Sequence, residues 1–142
     1  MWNEDMEEKN KIASFRDLYA WQEGHKEVLQ VYHCTKHFPK EELFALTSQM
    51  RRAAVSVTSN IAEGFSRTSI KEKAMFYTIA KGSLTELHNQ LIIARDVGYL
   101  EEIEFHSLED QLIKTHKILN GLITKTRSLK SPGRLQIPNS KF

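Results

Sequence analysis

The sequence predicts an all-α protein, an antiparallel up-down-up-down four-helix bundle. Apolar residues recur in alternating steps of three and four along four separate stretches. Proline, glycine and small polar residues fall between those stretches, where helices stop and turn. No segment alternates with a period of two for long enough to compete as a strand. Val55, Val57 and Thr58 raise strand propensity locally, yet their flanks keep helical spacing. Four amphipathic helices joined by short turns bury their stripes most economically against antiparallel neighbours.

Ser14 can cap the first helix, with Asp17 in its first turn to suit the helix dipole. Leu18, Trp21, His25, Val28, Tyr32 and Thr35 then share one face. Phe38-Pro39 ends this helix, because proline disfavours a helical residue before it. Pro39, followed by Glu41 and Glu42, can open the second helix. Its face carries Leu43, Leu46, Met50, Ala53, Val57 and Ile61, and Gly64 is the expected stop.

Ser69-Ile70-Lys71-Glu72 matches a capping box. Behind it Tyr77, Ala80, Leu84, Leu87, Leu91 and Ala94 form an unbroken heptad seam, and Gly98 marks the end. The fourth helix starts near Glu101 and Glu102 and carries Phe105, Leu108, Leu112, Thr115, Leu119 and Leu122 inward. It fades near Lys130, and Ser131-Pro132-Gly133 breaks it. The expected organisation is an acidic extension over 1–13, a bundle over 14–130 and a basic tail over 131–142.

A chain of 142 residues fits one domain with a real core. Forty per cent apolar residues with three prolines argue against wholesale disorder. The longest aliphatic run, Leu91-Ile92-Ile93-Ala94, is far short of the ~20 residues that span a bilayer, and no membrane partner is expected. The acidic start lacks the apolar stretch of a signal peptide. One cysteine cannot form an intrachain disulfide, which suits a reducing, cytoplasmic setting.

The net charge of +2 hides an asymmetry: all eighteen acids lie in residues 1–110, whereas residues 111–142 hold seven basic side chains and no acid. Such a stretch attracts polyanions through counterion release. It also suits a basic helix end complementing its own dipole. Arg51 and Arg52 interrupt an apolar run, and Arg67, Lys71 and Lys73 add charge near the turn into the third helix. An Arg there can pair with a neighbouring carboxylate or offer a planar fork to phosphate.

Phe44, Phe65, Phe76, Ile93, Ile113, Ile118 and Ile123 form a second set of large apolar residues outside the core stripes. Such a set marks an association surface or widens a single core. Ala53, Ala54, Ser56, Ser59 and Ala62, with Gly82-Ser83, would let two helix backbones approach closely. Gly82 costs about 1 kcal/mol relative to alanine in mid-helix, so a packing role is expected for it.

No catalytic constellation stands out. None of the six histidines follows a Glu by three residues, which removes the Glu-x-x-His di-metal pattern of many bundles. His33, Cys34 and His37 share a helix face, but no second cluster supplies further zinc ligands. Cys34 lies mid-helix, where its backbone N–H is used and cannot serve an oxyanion. Glycine-rich phosphate loops and the G-x-S-x-G elbow are absent from the sequence. No metal, cofactor or enzymatic activity is expected.

Several segments together are recognisable. They are Phe15-Arg16-Asp17-Leu18 with Trp21-Gln22, the run from Leu46 through Arg51-Arg52-Ala53-Ala54 to Val57, and Ser59-Asn60-Ile61-Ala62-Glu63-Gly64. Ala80-Lys81-Gly82-Ser83-Leu84-Thr85-Glu86-Leu87 and Asp96-Val97-Gly98-Tyr99-Leu100 complete the set. In matching order over residues 15–126, the chain resembles the bacterial 23S ribosomal RNA intervening-sequence proteins. It departs at Thr58, where that family more often has proline.

The resemblance implies an up-down bundle that assembles into a ring, commonly a pentamer, without enzymatic activity. A similar basic bundle is the accessory subunit of the reverse transcriptase of diversity-generating retroelements. The expected function is therefore a non-enzymatic homo-oligomer binding RNA or other nucleic acid through phosphates. Arg51, Arg52, Arg67, Lys71, Lys73, Lys114, Lys117, Lys125, Arg127 and Lys130 are the expected contacts. Phe44, Phe65, Phe76, Ile93, Ile113 and Ile118 are the expected oligomer surface. The alternative is an adaptor for a protein partner without nucleic-acid binding.

Overall fold

A computed structural model describes residues 12–129. Four helices follow one another: α1 (Tyr19–Thr35), α2 (Leu46–Ser66), α3 (Ile70–Asp96) and α4 (Glu102–Arg127). Short 3-10 turns at Phe15–Asp17 and Lys40–Glu42 precede α1 and α2. Each helix packs on its two neighbours in the cycle α1–α2–α3–α4, and α4 closes back onto α1. The all-α four-helix fold is as the hydrophobic periodicity predicts. Apart from Ile12 and Ala13, the expected acidic extension and basic tail lie outside the described residues.

The boundaries differ where side chains bond back to the main chain. Ser14 caps the 3-10 turn instead of α1: its Oγ accepts from Arg16 N at 3.0 Å, while Asp17 accepts from Ser14 N at 3.0 Å. The closed turn leaves Leu18 extended and fully buried, so α1 begins one residue later. Pro39 opens a 3-10 turn, not α2. Glu42 then holds the start of α2, accepting from Leu46 N at 3.2 Å and from the Tyr99 hydroxyl at 3.0 Å. Leu43, expected in the core, is consequently outside α2 and 46% exposed.

Gly64 does not stop α2, which runs on to Ser66. Its purpose is close approach: a Cβ there would sit 2.7 Å from Tyr77 Cε1. Ser69 caps α3 as expected, its Oγ accepting from Glu72 N at 3.0 Å. The capping box is half formed, since the Glu72 carboxylate accepts from the Ser69 hydroxyl at 3.4 Å instead of from its backbone N–H. Gly98 ends the α3 connection with φ +89°, a conformation that glycine adopts without a Cβ clash. Tyr99 N and Leu100 N both donate back to Ala94 O.

The core follows the predicted seams in α3 and α4. Tyr77, Ala80, Leu84, Leu87, Leu91 and Ala94 are all fully buried, facing Leu112, Thr115, Leu119 and Leu122 of equal burial. Ala53 and Ala54 are buried, and Ser56 of α2 shares a 2.7 Å hydrogen bond with Ser83 of α3. Burial of such rows at roughly 25 cal/mol per Å² is the main source of stability.

α1 is rotated from the expected face. It buries Ala20, Glu23, Gly24, Glu27, Val31, Cys34 and Thr35, while His25 and Tyr32 point outward. Gly24 explains the rotation: its absent Cβ would lie 3.1 Å from the Thr58 methyl, so α1 approaches α2 through its smallest residue. Gly82 has no such neighbour, because nothing lies within 4 Å of a Cβ there. Its expected packing role within the chain is therefore not met. No described helix is long and apolar enough to cross a membrane.

Candidate nucleic-acid interface

Up-down topology places the C-terminal ends of α2 and α4 beside the N-terminal end of α3. Arg67, Lys71 and Arg127 thereby share one end of the bundle. Lys71 and Arg127 line one groove of about 490 Å³, whose floor is Ile70, Ala74, Met75 and Ile79. Arg127 Nη2 donates to Thr78 Oγ1 at 3.4 Å, and Lys71 is exposed in the first turn of α3. Arg67 lies over the Phe76 ring at 4.9 Å and pairs with Glu63. Its guanidinium is thus oriented at the α2–α3 turn.

Arg51 and Arg52 are not part of this group. They lie in the first two turns of α2, and the fifteen or so residues from there to its end span about 20 Å. Arg51 Nε donates to Thr35 Oγ1 at 3.0 Å and its guanidinium covers the Tyr32 ring, tying α2 to α1. Arg52 faces solvent. On α4, Lys114 and Lys117 are exposed, Lys114 lying 3.5 Å from Glu23, and Lys125 is half-buried. Lys130 lies outside the described residues.

Lys73 is the clear correction. It is buried, and its Nζ donates to Gly64 O at 3.2 Å and to Phe65 O at 2.6 Å. The ammonium satisfies carbonyls that α2 leaves open at its end, and desolvation holds its pKa below the ordinary value. Two of its three N–H donors are thereby committed to the end of α2.

The second apolar set, which includes the expected oligomer surface, also divides. Phe44 is 91% exposed, and Ile93 and Ile113 are about half exposed. Phe65 and Ile118 pack against the chain's own core, Phe76 lies beneath Arg67, and Ile123 is a core residue. Phe65, Ile118 and Ile123 thus widen the core, as lateral apolar residues on a bundle helix often do.

Cys34 is buried, its thiol donates to Val31 O at 3.4 Å, and burial pushes its pKa up to about 12. Such a thiol is not a nucleophile at neutral pH. His33 and His37 meet edge to face beside it. Among the described residues no group of three or more His, Cys, Asp or Glu could hold a metal ion.

Sequence periodicity missed two buried acids on α1. Glu23 receives Gln111 Nε2 at 2.7 Å and Lys26 Nζ at 2.9 Å. Burial raises its pKa, but those bonds and the Lys114 charge outweigh it and leave the carboxyl below its ordinary value. Glu27 is 1% exposed, and neither carboxylate oxygen has a hydrogen-bond partner. Burial alone pushes its pKa up to about 8, so at neutral pH it is mostly the neutral acid. The available signal was the i, i+3/i+4 relation of Ala20, Glu23, Gly24, Glu27 and Val31, which a purely apolar count passes over.

The described geometry agrees with known relatives. A crystal structure of a protein of unknown function from the S23 ribosomal protein family of Bacteroides thetaiotaomicron VPI-5482 superposes with a TM-score of 0.70 at 18% identity. The match covers 77% of this chain and 98% of that one, a likeness of fold. No curated protein matches the chain. The family model described as 23S rRNA-intervening sequence protein matches residues 16–121, which takes in α1, α2, α3 and most of α4. This chain belongs to the 23S rRNA-intervening sequence protein family.

Proposed function

We propose that this protein is a non-enzymatic homo-oligomer that binds structured RNA or another nucleic acid through its phosphates. The observation that carries the reading is the gathering of Arg67, Lys71 and Arg127 at one end of the bundle, from three different helix ends. Exposed Lys114 and Lys117 continue the positive charge along α4. Spaced cations on a rigid frame suit backbone contacts and shape, since few aromatics stand among them to stack bases. Arg52 is a separate contact at the other end, and Lys73 is not a contact. The assembly that family likeness favours is a ring of five.

Reversing Lys114, Lys117, Lys125 and Arg127 to Glu tests this reading. Binding to a structured RNA, followed by fluorescence anisotropy at low salt, should be abolished while the helical circular dichroism is retained. Unchanged RNA affinity would remove the proposal.

The adaptor reading has its own support in an apolar groove of about 450 Å³ between α1 and α4. Leu29 and Ile103 line it and are 57% and 83% exposed. Exposed apolar surface of this kind suits a protein partner. The four reversals lie away from this groove and should leave capture of such a partner intact.

A further inference from the structure

We infer that the α3–α4 face carries a second phosphate site, made by Lys81, His116 and the open backbone at Gly82. This rests on the phosphate reading above and deepens it, by placing a phosphodiester away from the basic end of the bundle. Arg127 lies on Thr78 Oγ1, and Thr78 is one helical turn before Lys81, so the positive edge continues past the groove. Antiparallel packing sets the middle of α3 against the middle of α4, with His88 on Glu109 at 2.8 Å. Lys81 and His116 are half-buried on these facing helices. Among the described residues no carboxylate holds Lys81 in an ion pair.

Gly82 adds access. It is exposed beside Lys81, and nothing lies within 4 Å of where its Cβ would stand. Glycine weakens a helix interior relative to alanine, and no contact within the chain uses the space it leaves. A bare helix backbone lets a ligand chain lie closer than any side chain would allow. Thr85, one turn further on, is exposed and spends its hydroxyl proton on Lys81 O at 3.2 Å. Its oxygen is left to accept from a ribose hydroxyl.

His116 completes the site. Its Nδ1 meets Asn120 Nδ2 at 3.1 Å, and an amide nitrogen only donates, so Nδ1 accepts and Nε2 carries the ring hydrogen. Burial first, and then the Lys81 and His88 charges from α3, hold its pKa below the ordinary value. The ring is therefore neutral at pH 7. On its own helix the adjoining charges are Lys117 and, two turns back, Glu109, which is bonded to His88. A phosphodiester seated between Lys81 and His116 offsets the positive charge that keeps the ring neutral. Binding there takes up a proton, so affinity rises as pH falls. The Asn120 amide then turns its oxygen to the charged ring.

The experiment is fluorescence anisotropy with a labelled RNA hairpin at low salt, at about pH 8 and about pH 6. Lys81→Gln should weaken binding about tenfold, and Lys81→Arg should keep it. Gly82→Leu should weaken binding by a similar factor while raising the thermal midpoint, which separates a blocked surface from a damaged fold. Wild-type affinity should rise roughly threefold on acidification. His116→Gln should match wild type at the higher pH and lose most of that rise. RNA binding that Lys81→Gln and Gly82→Leu leave unchanged would overturn this site and leave phosphate binding at the basic end standing. A wild type that binds no RNA at low salt would overturn both. An identical pH dependence in wild type and His116→Gln would also overturn the site.

Discussion

Helices α1 and α3 meet the same core in different ways. α3 contributes an unbroken apolar row from Tyr77 to Ala94, every member fully buried. α1 contributes Ala20, Gly24 and Val31 interleaved with Glu23, Glu27 and Thr35. α3 is located by area removed from water. α1 is located by close approach at Gly24 and by polar bonds, Arg51 to Thr35 and Gln111 to Glu23. An apolar pattern thus fixes the rotation of a helix only where the contact face is apolar throughout.

The largest effect should come from the glycine on which α3 closes. Gly64→Ala places a Cβ within 3 Å of two Tyr77 ring carbons, and the buried ring has no room to retreat. Overpacking of this kind should cost about 3 kcal/mol, read from urea unfolding. A loss below 1 kcal/mol would mean that the α2–α3 contact is softer than the geometry implies.

The next effect sharpens the α1 side and depends on pH. The folded Glu27 pKa of about 8 lies above its ordinary 4.5, so the folded chain holds this proton more tightly than the unfolded one. Its contribution therefore makes stability fall as pH rises from about 4.5 to 8, with no further change beyond. Glu27→Leu should remove that fall and raise stability at pH 9 by about 2 kcal/mol. Parallel pH-stability curves for the two proteins would contradict the unpartnered carboxyl.

Lys73 ties α3 to the end of α2 by an ion-to-carbonyl contact. Lys73→Met keeps the stem and removes both donors to Gly64 and Phe65. It should cost about 1.5 kcal/mol and leave RNA affinity unchanged, measured on the folded protein. Smallest is Gly24→Ala, whose Cβ meets a single methyl of Thr58 at 3.1 Å. It should shift stability by about 1 kcal/mol at most, because a side-chain methyl yields more readily than a buried ring.

These contrasts explain what the sequence made legible. The α3 and α4 seams, the Ser69 cap and the Gly98 stop each follow from local chemistry, and each appears where periodicity and capping rules place it. The start of α2 was not legible, because Glu42 reaches forward to Leu46 and across to Tyr99, a residue fifty-seven positions away. Gly64 resembled a helix stop in sequence, but the ring that needs its missing Cβ lies on the next helix. The candidate site was legible as charge and not as geometry. Lys71 and Arg127 come together through topology, whereas Lys73, two residues from Lys71, turns inward to α2.

The most direct test of phosphate binding is the salt dependence of affinity for a structured RNA. Each phosphate contact releases counterions, so the logarithm of the binding constant should fall steeply with the logarithm of salt. Replacing Lys71 and Arg127 by Gln should make that slope shallower by about 1.5 to 2. Absence of binding at low salt, or an identical slope for wild type and variant, would contradict the account.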